Sequence, residues 1–213
     1  MSNISSIRKE YILQSLSEKD IAVNPILQFD KWWQQAIESK IEEVNALTLA
    51  TVNQEGKPSA RIVLLKGYDE NGFVFFTNYL SQKGNDINSN PNVCLVIFWK
   101  ELERQIRIEG VAEKISESDS DQYFNSRPLL SKIGAWSSPQ SQPIASRNIL
   151  ENNFEKTTAD FKENPITRPP HWGGYLVVPN KVEFWQGRPG RLHDRIEYTK
   201  EESNDWSRVR LAP

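Results

Sequence analysis

Hydrophobic and polar positions follow two different periods along this chain. From Pro25 to Lys40 the apolar residues recur every three or four positions, with Ile26, Phe29, Trp33 and Ile37 separated mainly by charged and amide side chains. This spacing predicts an amphipathic helix, which we expect to cover one side of a sheet.

Much of the remaining chain consists of short runs rich in β-branched and aromatic residues, bounded by turn-forming clusters such as N-Q-E-G-K-P and G-Y-D-E-N-G. Such runs predict strands. The predicted strands are Ala46 to Val52, Ser59 to Lys66, Phe73 to Thr77, Val93 to Trp99, Gln105 to Lys114, Gly174 to Gln186, Leu192 to Tyr198 and Trp206 to Leu211. Two further helices are predicted, at Glu117 to Ser126 and Ser146 to Phe161. This order favours a mainly β (α+β) fold, an antiparallel closed or split β-barrel with peripheral helices.

Composition limits the class of protein. The chain has 213 residues, 38% hydrophobic and 25% charged, which suits one well-buried domain. A formal net charge of −2 gives no general attraction to nucleic acid or to an anionic membrane, so a local group of cations must bind any phosphate. No apolar stretch approaches the roughly 20 residues that cross a bilayer, and the polar start lacks the apolar core of a signal peptide. The single Cys94 cannot form an internal disulfide, and we expect a cytoplasmic protein.

Cations stand at the ends of predicted strands. In R-I-V-L-L-K strict alternation places Arg61 and Lys66 on opposite faces, so they need not bind one ligand. After the next strand, Ser81 is suited to cap a short helix, and Lys83 adds a charge beside its free N–H groups. Gln105 lies on a polar face of a later strand, where its amide suits a heterocycle. Each pattern alone is also typical of a solvated surface.

Hydroxyl and guanidinium groups recur at helical spacing. Tyr123 and Arg127 stand four residues apart, on one face of the predicted helix, and Ser131 follows on a new helical turn. Together they form a candidate cradle for a phosphate monoester. Near the N-terminus, Arg8 and Tyr11 repeat the pairing at three-residue spacing. Such pairs also occur as surface side chains without a ligand.

The segment W-Q-G-R-P-G-R-L-H-D-R begins at Trp185. In an extended strand it sends Arg191, His193 and Arg195 to one face. Two guanidiniums beside an imidazole suit a planar anion, such as a phosphorylated aromatic ring. The pattern is equally compatible with a charged, solvated edge strand, and the segment alone leaves both interpretations open.

Several chemistries are excluded by the sequence. His171 and His193 are the only histidines, and neither belongs to a metal-binding motif, so no metal site is predicted. The G-x-S-x-G, G-x-G-x-x-G and phosphate-loop motifs are absent. Cys94 lies in an apolar strand and is poorly placed to act as a nucleophile. The chemistry is therefore expected to belong to a bound organic cofactor.

Taken in order, the motifs R-I-V-L-L-K, F-F-T-N, E-R-Q-I-R-I-E-G, Y-F-N-S-R-P, I-G-A-W-S-S-P-Q-S, F-W-Q-G, R-L-H-D-R and R-L-A-P resemble the pyridoxine (pyridoxamine) 5′-phosphate oxidase family. The resemblance implies a split barrel that binds flavin mononucleotide (FMN), and a homodimer whose two active sites contain residues of both subunits. The implied reaction converts pyridoxine or pyridoxamine 5′-phosphate to pyridoxal 5′-phosphate and reduces O2 to H2O2. It further implies an N-terminal segment, residues 1–20, that closes over the site of a single domain, residues 21–213.

The resemblance also implies roles for individual residues. The implied cofactor-binding residues are Arg61, Ile62, Val63, Leu64, Leu65, Lys66, Phe76, Thr77, Gln82, Lys83, Gln105, Gln140, Ser141, Trp185 and Arg195. The implied substrate-binding residues are Arg8, Tyr11, Lys66, Tyr123, Arg127, Ser131, Arg191 and His193. Arg191 and His193 would also be catalytic, orienting the pyridine ring and easing loss of the proton from the C4′ substituent.

One position departs from the family pattern. Many relatives have Arg or Lys beside the residue that matches Lys83, whereas this chain has the uncharged Gln82, so a weaker but functional cofactor site is expected. Two alternatives remain at this point: another split-barrel flavoprotein, such as a flavin reductase, and a non-catalytic carrier of flavin or pyridoxal phosphate.

Overall fold

The structure is a computed structural model that describes residues 4–6, 9–162 and 164–213. Its helices are α1 (Pro25–Glu38), α2 (Gln82–Ser89), α3 (Glu117–Ser126), α4 (Leu129–Ser137) and α5 (Arg147–Asp160). Its strands are β1 (Ala46–Val52), β2 (Pro58–Asp69), β3 (Gly72–Asn78), β4 (Asn92–Trp99), β5 (Arg104–Lys114), β6 (Trp172–Gln186), β7 (Asp194–Lys200) and β8 (Trp206–Leu211). Short 3-10 turns lie at Ile4–Ser6 and Pro189–Arg191. No helix in the described part of the chain has the length and apolar character needed to span a membrane.

The eight strands form one sheet in the order β3-β2-β1-β4-β5-β6-β7-β8. β3 also pairs antiparallel with β6, from Phe73 opposite Val177 to Asn78 opposite Trp172. This pairing closes six strands into an antiparallel barrel, while β7 and β8 continue the sheet. The predicted mainly β fold, a barrel with peripheral helices, is confirmed.

The local sequence explains the elements that carry the site. In β1 the buried residues Leu47, Leu49 and Thr51 alternate with half-buried ones, as a strand with one face in the core requires. α1 begins after Asn24, whose side-chain oxygen accepts the N–H of Leu27 at 2.9 Å. Pro25 occupies its first turn, where no main-chain donor is needed.

The chain contacts define two compact units. Unit 1 comprises the described residues of Met1–Leu49, Cys94–Gly110 and Pro179–Pro213, and unit 2 comprises those of Ala50–Val93 and Val111–Val178. Fully buried side chains form the core of each unit, including Phe29, Trp99 and Phe184 in unit 1 and Phe75 and Phe124 in unit 2. The expected division into an N-terminal segment and a single domain stays a prediction.

One predicted strand begins later than the sequence indicated. β7 starts at Asp194, because the preceding residues form a 3-10 turn in which Gly190 and Arg191 both have φ of 63°. Arg191 therefore lies outside the strand, and the expectation that Arg191, His193 and Arg195 share one strand face is wrong. Pro189 and Gly190 favour this turn because proline fixes its own φ and glycine accepts positive values.

Candidate active site

A polar cluster surrounds the start of α2. Ser81 caps the helix, its hydroxyl accepting the N–H of Gly84 at 3.4 Å, as the sequence predicted. Arg61 on β2 donates to Thr51 Oγ1 at 2.6 Å and to Ser59 Oγ at 2.8 Å. The Gln82 amide also donates to Ser59 Oγ, at 3.3 Å. The cluster therefore gathers a guanidinium and an amide at the N-terminus of a helix, which together suit an anion.

Lys83 joins this cluster to the loop after α4. Its ammonium lies 3.3 Å from Gln140 Oε1 and 3.5 Å from Ser81 Oγ. Burial, and then the nearby Arg61, lower the pKa of Lys83. Burial likewise lowers the pKa of Arg61, although Asp86 opposes the shift. A bound anion would stabilise the charged forms of Lys83 and Arg61, because its negative charge replaces the solvation that burial removes.

Unit 2 contains a cavity of about 430 Å³ beside this cluster. Its lining includes eleven residues that the sequence predicted for the cofactor or the substrate: Ile62, Val63, Leu64, Lys66, Phe76, Thr77, Lys83, Tyr123, Arg127, Ser131 and Gln140. The volume is in the range usual for small-molecule sites. The cations among them are Lys66, Lys83 and Arg127, and the described lining contains no carboxylate. In a chain with a net charge of −2, this cavity is locally positive.

Arg127 is held in the cavity by aromatic rings. Its guanidinium carbon lies 4.5 Å from the centre of the Trp172 ring, and Nη1 is buried with no hydrogen-bond partner in the described structure. Burial lowers the pKa of Arg127. Tyr123 stacks on Phe76 with ring centres 3.9 Å apart, so its position is also fixed. An unpaired donor on a buried cation is costly, and an anionic ligand would satisfy it.

The two faces of β2 differ in exposure as alternation predicts, although Val63 of the less exposed face also lines the cavity. Ile62 and Leu64 are 66% and 38% exposed, and together with Lys66 they line the cavity. Leu65 is 4% exposed and belongs to the core, so only its backbone can face a ligand. Exposed aliphatic side chains beside cations offer an apolar surface for a flat ring, which fits a flavin as well as a phosphate.

Unit 1 contains a second cavity, of about 860 Å³. Tyr11, Arg191 and His193, three of the predicted substrate residues, line it. Burial, and then Arg191, lower the pKa of His193, and its Nδ1 accepts the main-chain N–H of Arg188 at 3.1 Å. Since a main-chain N–H can only donate, the neutral imidazole carries its proton on Nε2.

The other predicted cofactor residues of unit 1 have definite partners. Trp185 lies 4.6 Å from His193 and 5.7 Å from Tyr11, measured between ring centres. Arg195 pairs with Trp185 across β6 and β7, and its guanidinium donates to both oxygens of Glu183, at 2.7 and 3.1 Å. Gln105 occupies a half-buried position of β5.

Two predicted residues are placed less decisively. Ser141 is exposed with φ of 69°, and it follows Gln140 without lining the unit 2 cavity. Arg8 lies outside the described residues, so its predicted role stays a prediction.

The structure places two residues in the cavities to which the sequence assigned no role. Trp172 lines the unit 2 cavity and stacks on Arg127. Arg188 lines the unit 1 cavity, and its guanidinium donates to Gln14 O at 3.1 Å. The Pro and Gly that follow Arg188 indicate a turn in the sequence. Local sequence rules do not predict which distant residues, such as Gln14, a side chain in that turn will contact.

Comparison with known proteins agrees with this geometry. Residues 33–159 match the family model described as pyridoxamine 5′-phosphate oxidase, and residues 172–213 match the pyridoxine 5′-phosphate oxidase C-terminal dimerisation region. The chain is 52% identical over 213 residues to a pyridoxine/pyridoxamine 5′-phosphate oxidase of Cupriavidus necator, covering 100% of both chains. It is 54% identical over 210 residues to one of Leptospira interrogans, covering 99% of this chain and 98% of the relative.

A solved structure shares the fold over nearly the whole chain. PhzG from Burkholderia lata 383, in complex with tetrahydrophenazine-1-carboxylic acid, superposes with a TM-score of 0.88 at 28% identity, covering 94% of this chain and 99% of PhzG. The family models, the relatives and the barrel therefore agree. The chain belongs to the pyridoxine/pyridoxamine 5′-phosphate oxidase family and is an oxidoreductase of that family.

Proposed function

We propose that this chain oxidises pyridoxine or pyridoxamine 5′-phosphate to pyridoxal 5′-phosphate, with FMN as cofactor and O2 as the final electron acceptor. The observation that carries the proposal is the unit 2 cavity, in which Lys66, Lys83 and Arg127 meet hydroxyl groups and exposed aliphatic side chains without a carboxylate in the described lining. This combination suits phosphorylated ligands that carry flat rings. The relatives at 52% and 54% identity bear the name of this activity.

The cluster at the start of α2 is the proposed binding site for the FMN phosphate. Arg61, Lys83, Gln82 and Gln140 would donate to it, with Ser141 beside them. Phe76, Thr77, Gln105, Trp185 and Arg195 are proposed to contact the rest of the cofactor. FMN held there would supply the two-electron acceptor that takes a hydride equivalent from C4′ of the substrate and passes the electrons to O2.

A separate group is proposed to bind the phosphate of the substrate. Lys66 supplies a charge on the exposed face of β2, at the register shift between Leu65 and Gly67. Arg127 supplies a guanidinium with an unpaired donor, and Tyr123 and Ser131 supply hydroxyls. Because the aromatic stack fixes Arg127 and Tyr123 before the ligand arrives, little side-chain entropy is lost on binding. These residues hold the reacting carbon in place, and accurate positioning is a large part of catalysis.

Arg191 and His193 are proposed to act at the pyridine ring. The His193 proton on Nε2 makes this atom a hydrogen-bond donor, which orients the ring rather than removing a proton. The Arg191 guanidinium stabilises negative charge that develops when the C4′ substituent loses its proton.

We also propose a homodimer with shared active sites. The support is the match of residues 172–213 to the family's dimerisation region. The described chain also exposes large apolar side chains, including Leu129, Leu130 and Leu192, which a second copy would cover.

The experiment loads purified protein with FMN and measures pyridoxal 5′-phosphate and H2O2 in air. We expect both products in equal amounts from either phosphorylated substrate and little turnover of pyridoxine without phosphate. FMN binding without H2O2 would indicate a carrier, and FMN-dependent oxidation of a nicotinamide without pyridoxal phosphate would indicate a flavin reductase. Either result would contradict the proposal.

A further inference from the structure

The N-terminal strap, residues 9–16, crosses unit 1 without helix or strand. Such a segment has no ladder partner for its N–H groups, so other acceptors must bind them. Here the acceptors are carboxylates. Glu103 Oε2 accepts the N–H groups of Ile12 at 2.9 Å and Leu13 at 3.2 Å, and Asp194 Oδ2 accepts that of Leu16 at 3.0 Å.

Glu103 is a buried residue whose carboxylate contacts the strap. Its side chain is 1% exposed, and its second oxygen lies 3.2 Å from Lys9 Nζ. Its backbone has φ of 55°, in the left-handed region that glutamate seldom occupies. A buried carboxylate and an unfavourable backbone angle both cost free energy, and they persist where the surroundings determine them. The groups that satisfy this carboxylate belong to the strap.

The contact determines where Tyr11 lies, because the peptide that follows Tyr11 carries the N–H of Ile12. The Tyr11 ring meets Trp185 edge-on and lies 5.9 Å from His193. It also covers Gly187 so closely that a Cβ there would lie 2.7 Å from Tyr11 Cγ. The main-chain oxygen of Glu103 accepts the N–H of Gly187 at 2.7 Å. Glu103 thus binds both sides of the contact between Tyr11 and Gly187: its carboxylate binds the strap and its main-chain oxygen binds Gly187.

We propose that Glu103 is a positioning residue of the oxidase reaction, which holds Tyr11 at the ring side of the substrate site by binding the N–H groups of Ile12 and Leu13. Glu103 does not line the unit 1 cavity, whereas Tyr11 lines it together with Arg191 and His193. The inference rests on the proposed function, since it takes Tyr11 to contact the substrate. Beyond that function, the inference identifies Glu103 as the residue that holds the strap in place.

The test is a double-mutant cycle of Glu103→Ala and Tyr11→Ala on the FMN-loaded protein. We expect Glu103→Ala to raise KM for pyridoxine 5′-phosphate about tenfold with kcat within twofold, because hydrogen bonds to a charged group are lost. In the Tyr11→Ala background the same substitution should change KM by less than about twofold, since the positioned ring is gone. An undiminished effect in that background, or no effect in either, would overturn the proposal.

Glu103→Gln keeps the shape and one acceptor oxygen, so it should recover most of the lost affinity. If Glu103→Ala does not fold, Glu103→Gly, which also lacks the carboxylate and accepts the positive φ, carries the same cycle, and a KM rise that is equal in both backgrounds overturns the proposal. The matched control is Glu101→Ala, which removes an exposed carboxylate paired with Lys100 at 3.6 Å and should leave KM unchanged.

A second measurement does not depend on activity. Trypsin cleaves after lysine, and Lys9 lies in the strap, where it pairs with Glu103. We expect Glu103→Ala to be cut after Lys9 at least several times faster than the wild type, while Glu101→Ala is cut at the wild-type rate. Equal cleavage of the wild type and Glu103→Ala would overturn the anchoring role. If the wild type is cut slowly but does not oxidise the substrate, the proposed function fails while the anchor stands.

Discussion

Replacing Arg127 by Met should separate stability from substrate binding. Without ligand, the substitution removes a cation–π contact with Trp172, worth about 0.5–2 kcal/mol. It also removes a buried, unpaired Nη1, whose cost is about 1–3 kcal/mol. The two terms oppose each other, so the free energy of unfolding should change by less than about 1 kcal/mol.

Binding should respond differently. A guanidinium that donates two charge-assisted hydrogen bonds to a phosphate contributes roughly 3–6 kcal/mol before other costs. Taking about 3 kcal/mol as the net loss, KM for pyridoxine 5′-phosphate should rise about 100-fold. Because the phosphate is bound equally in the ground state and the transition state, kcat should change little.

The assay is steady-state H2O2 production, together with urea unfolding in the absence of ligand. Arg127→Lys should be intermediate, since it keeps the charge and loses the planar fork. Lys132→Met is the matched control, because the Lys132 ammonium binds Asn125 O at 2.7 Å on the exposed surface, and its KM should stay within twofold. A wild-type KM for Arg127→Met, or an unfolding free energy lowered by more than about 2 kcal/mol, would refute the reasoning.

Four further predictions concern α2. Lys83→Met should weaken FMN binding by roughly 10- to 100-fold, measured by quenching of flavin fluorescence, and unchanged affinity would contradict the proposed phosphate site. Burial and then Arg61 lower the pKa of Lys83, so its ammonium loses its proton at a lower pH than a solvated lysine does. The affinity of the wild type for FMN should therefore fall as the pH rises, and it should fall at a lower pH than the affinity of Lys83→Arg. Gln82→Arg should strengthen FMN binding severalfold at low salt and less at high salt, and a salt-independent effect would argue against electrostatics. Gly84→Ala should lower the free energy of unfolding by more than about 2 kcal/mol, because its Cβ would overlap the carbonyl of Tyr79. The control Gly134→Ala, with no atom within 4 Å of the new Cβ, should be neutral or stabilising. Equal urea midpoints of the two variants would contradict this prediction.

Local rules predicted much of the fold and part of the site. The period-two alternation of apolar and polar residues located the strands closely, and it placed Arg61 and Lys66 on opposite faces of β2, of which Lys66 lines the cavity and Arg61 does not. Tyr123, Arg127 and Ser131 line one cavity, as expected, but Arg127 follows α3 in an extended conformation, so the expected shared helix face of Tyr123 and Arg127 is wrong. The family and the oxidase activity, inferred from ordered motifs, are confirmed by the relatives.

Features that depend on distant residues were not predictable from the sequence. Glu103 and Ile12 are 91 positions apart in the sequence. No spacing rule connects the residue before β5 to a segment that has neither helix nor strand. Trp172 was missed because its role depends on an arginine from another element. The orientation of Arg191 was wrong because a turn with positive φ replaced the strand that alternation required. The cytoplasmic location and the individual ligand contacts stay predictions.

The most direct test of the central claim is an anaerobic titration of the FMN-loaded protein with pyridoxine 5′-phosphate, followed by its absorption spectrum. We predict loss of the flavin band near roughly 450 nm in proportion to the pyridoxal 5′-phosphate formed, and its return when air is admitted. The same titration of Arg127→Met should need about 100-fold more substrate for half of the change. A flavin band that stays unchanged at saturating substrate would contradict the account.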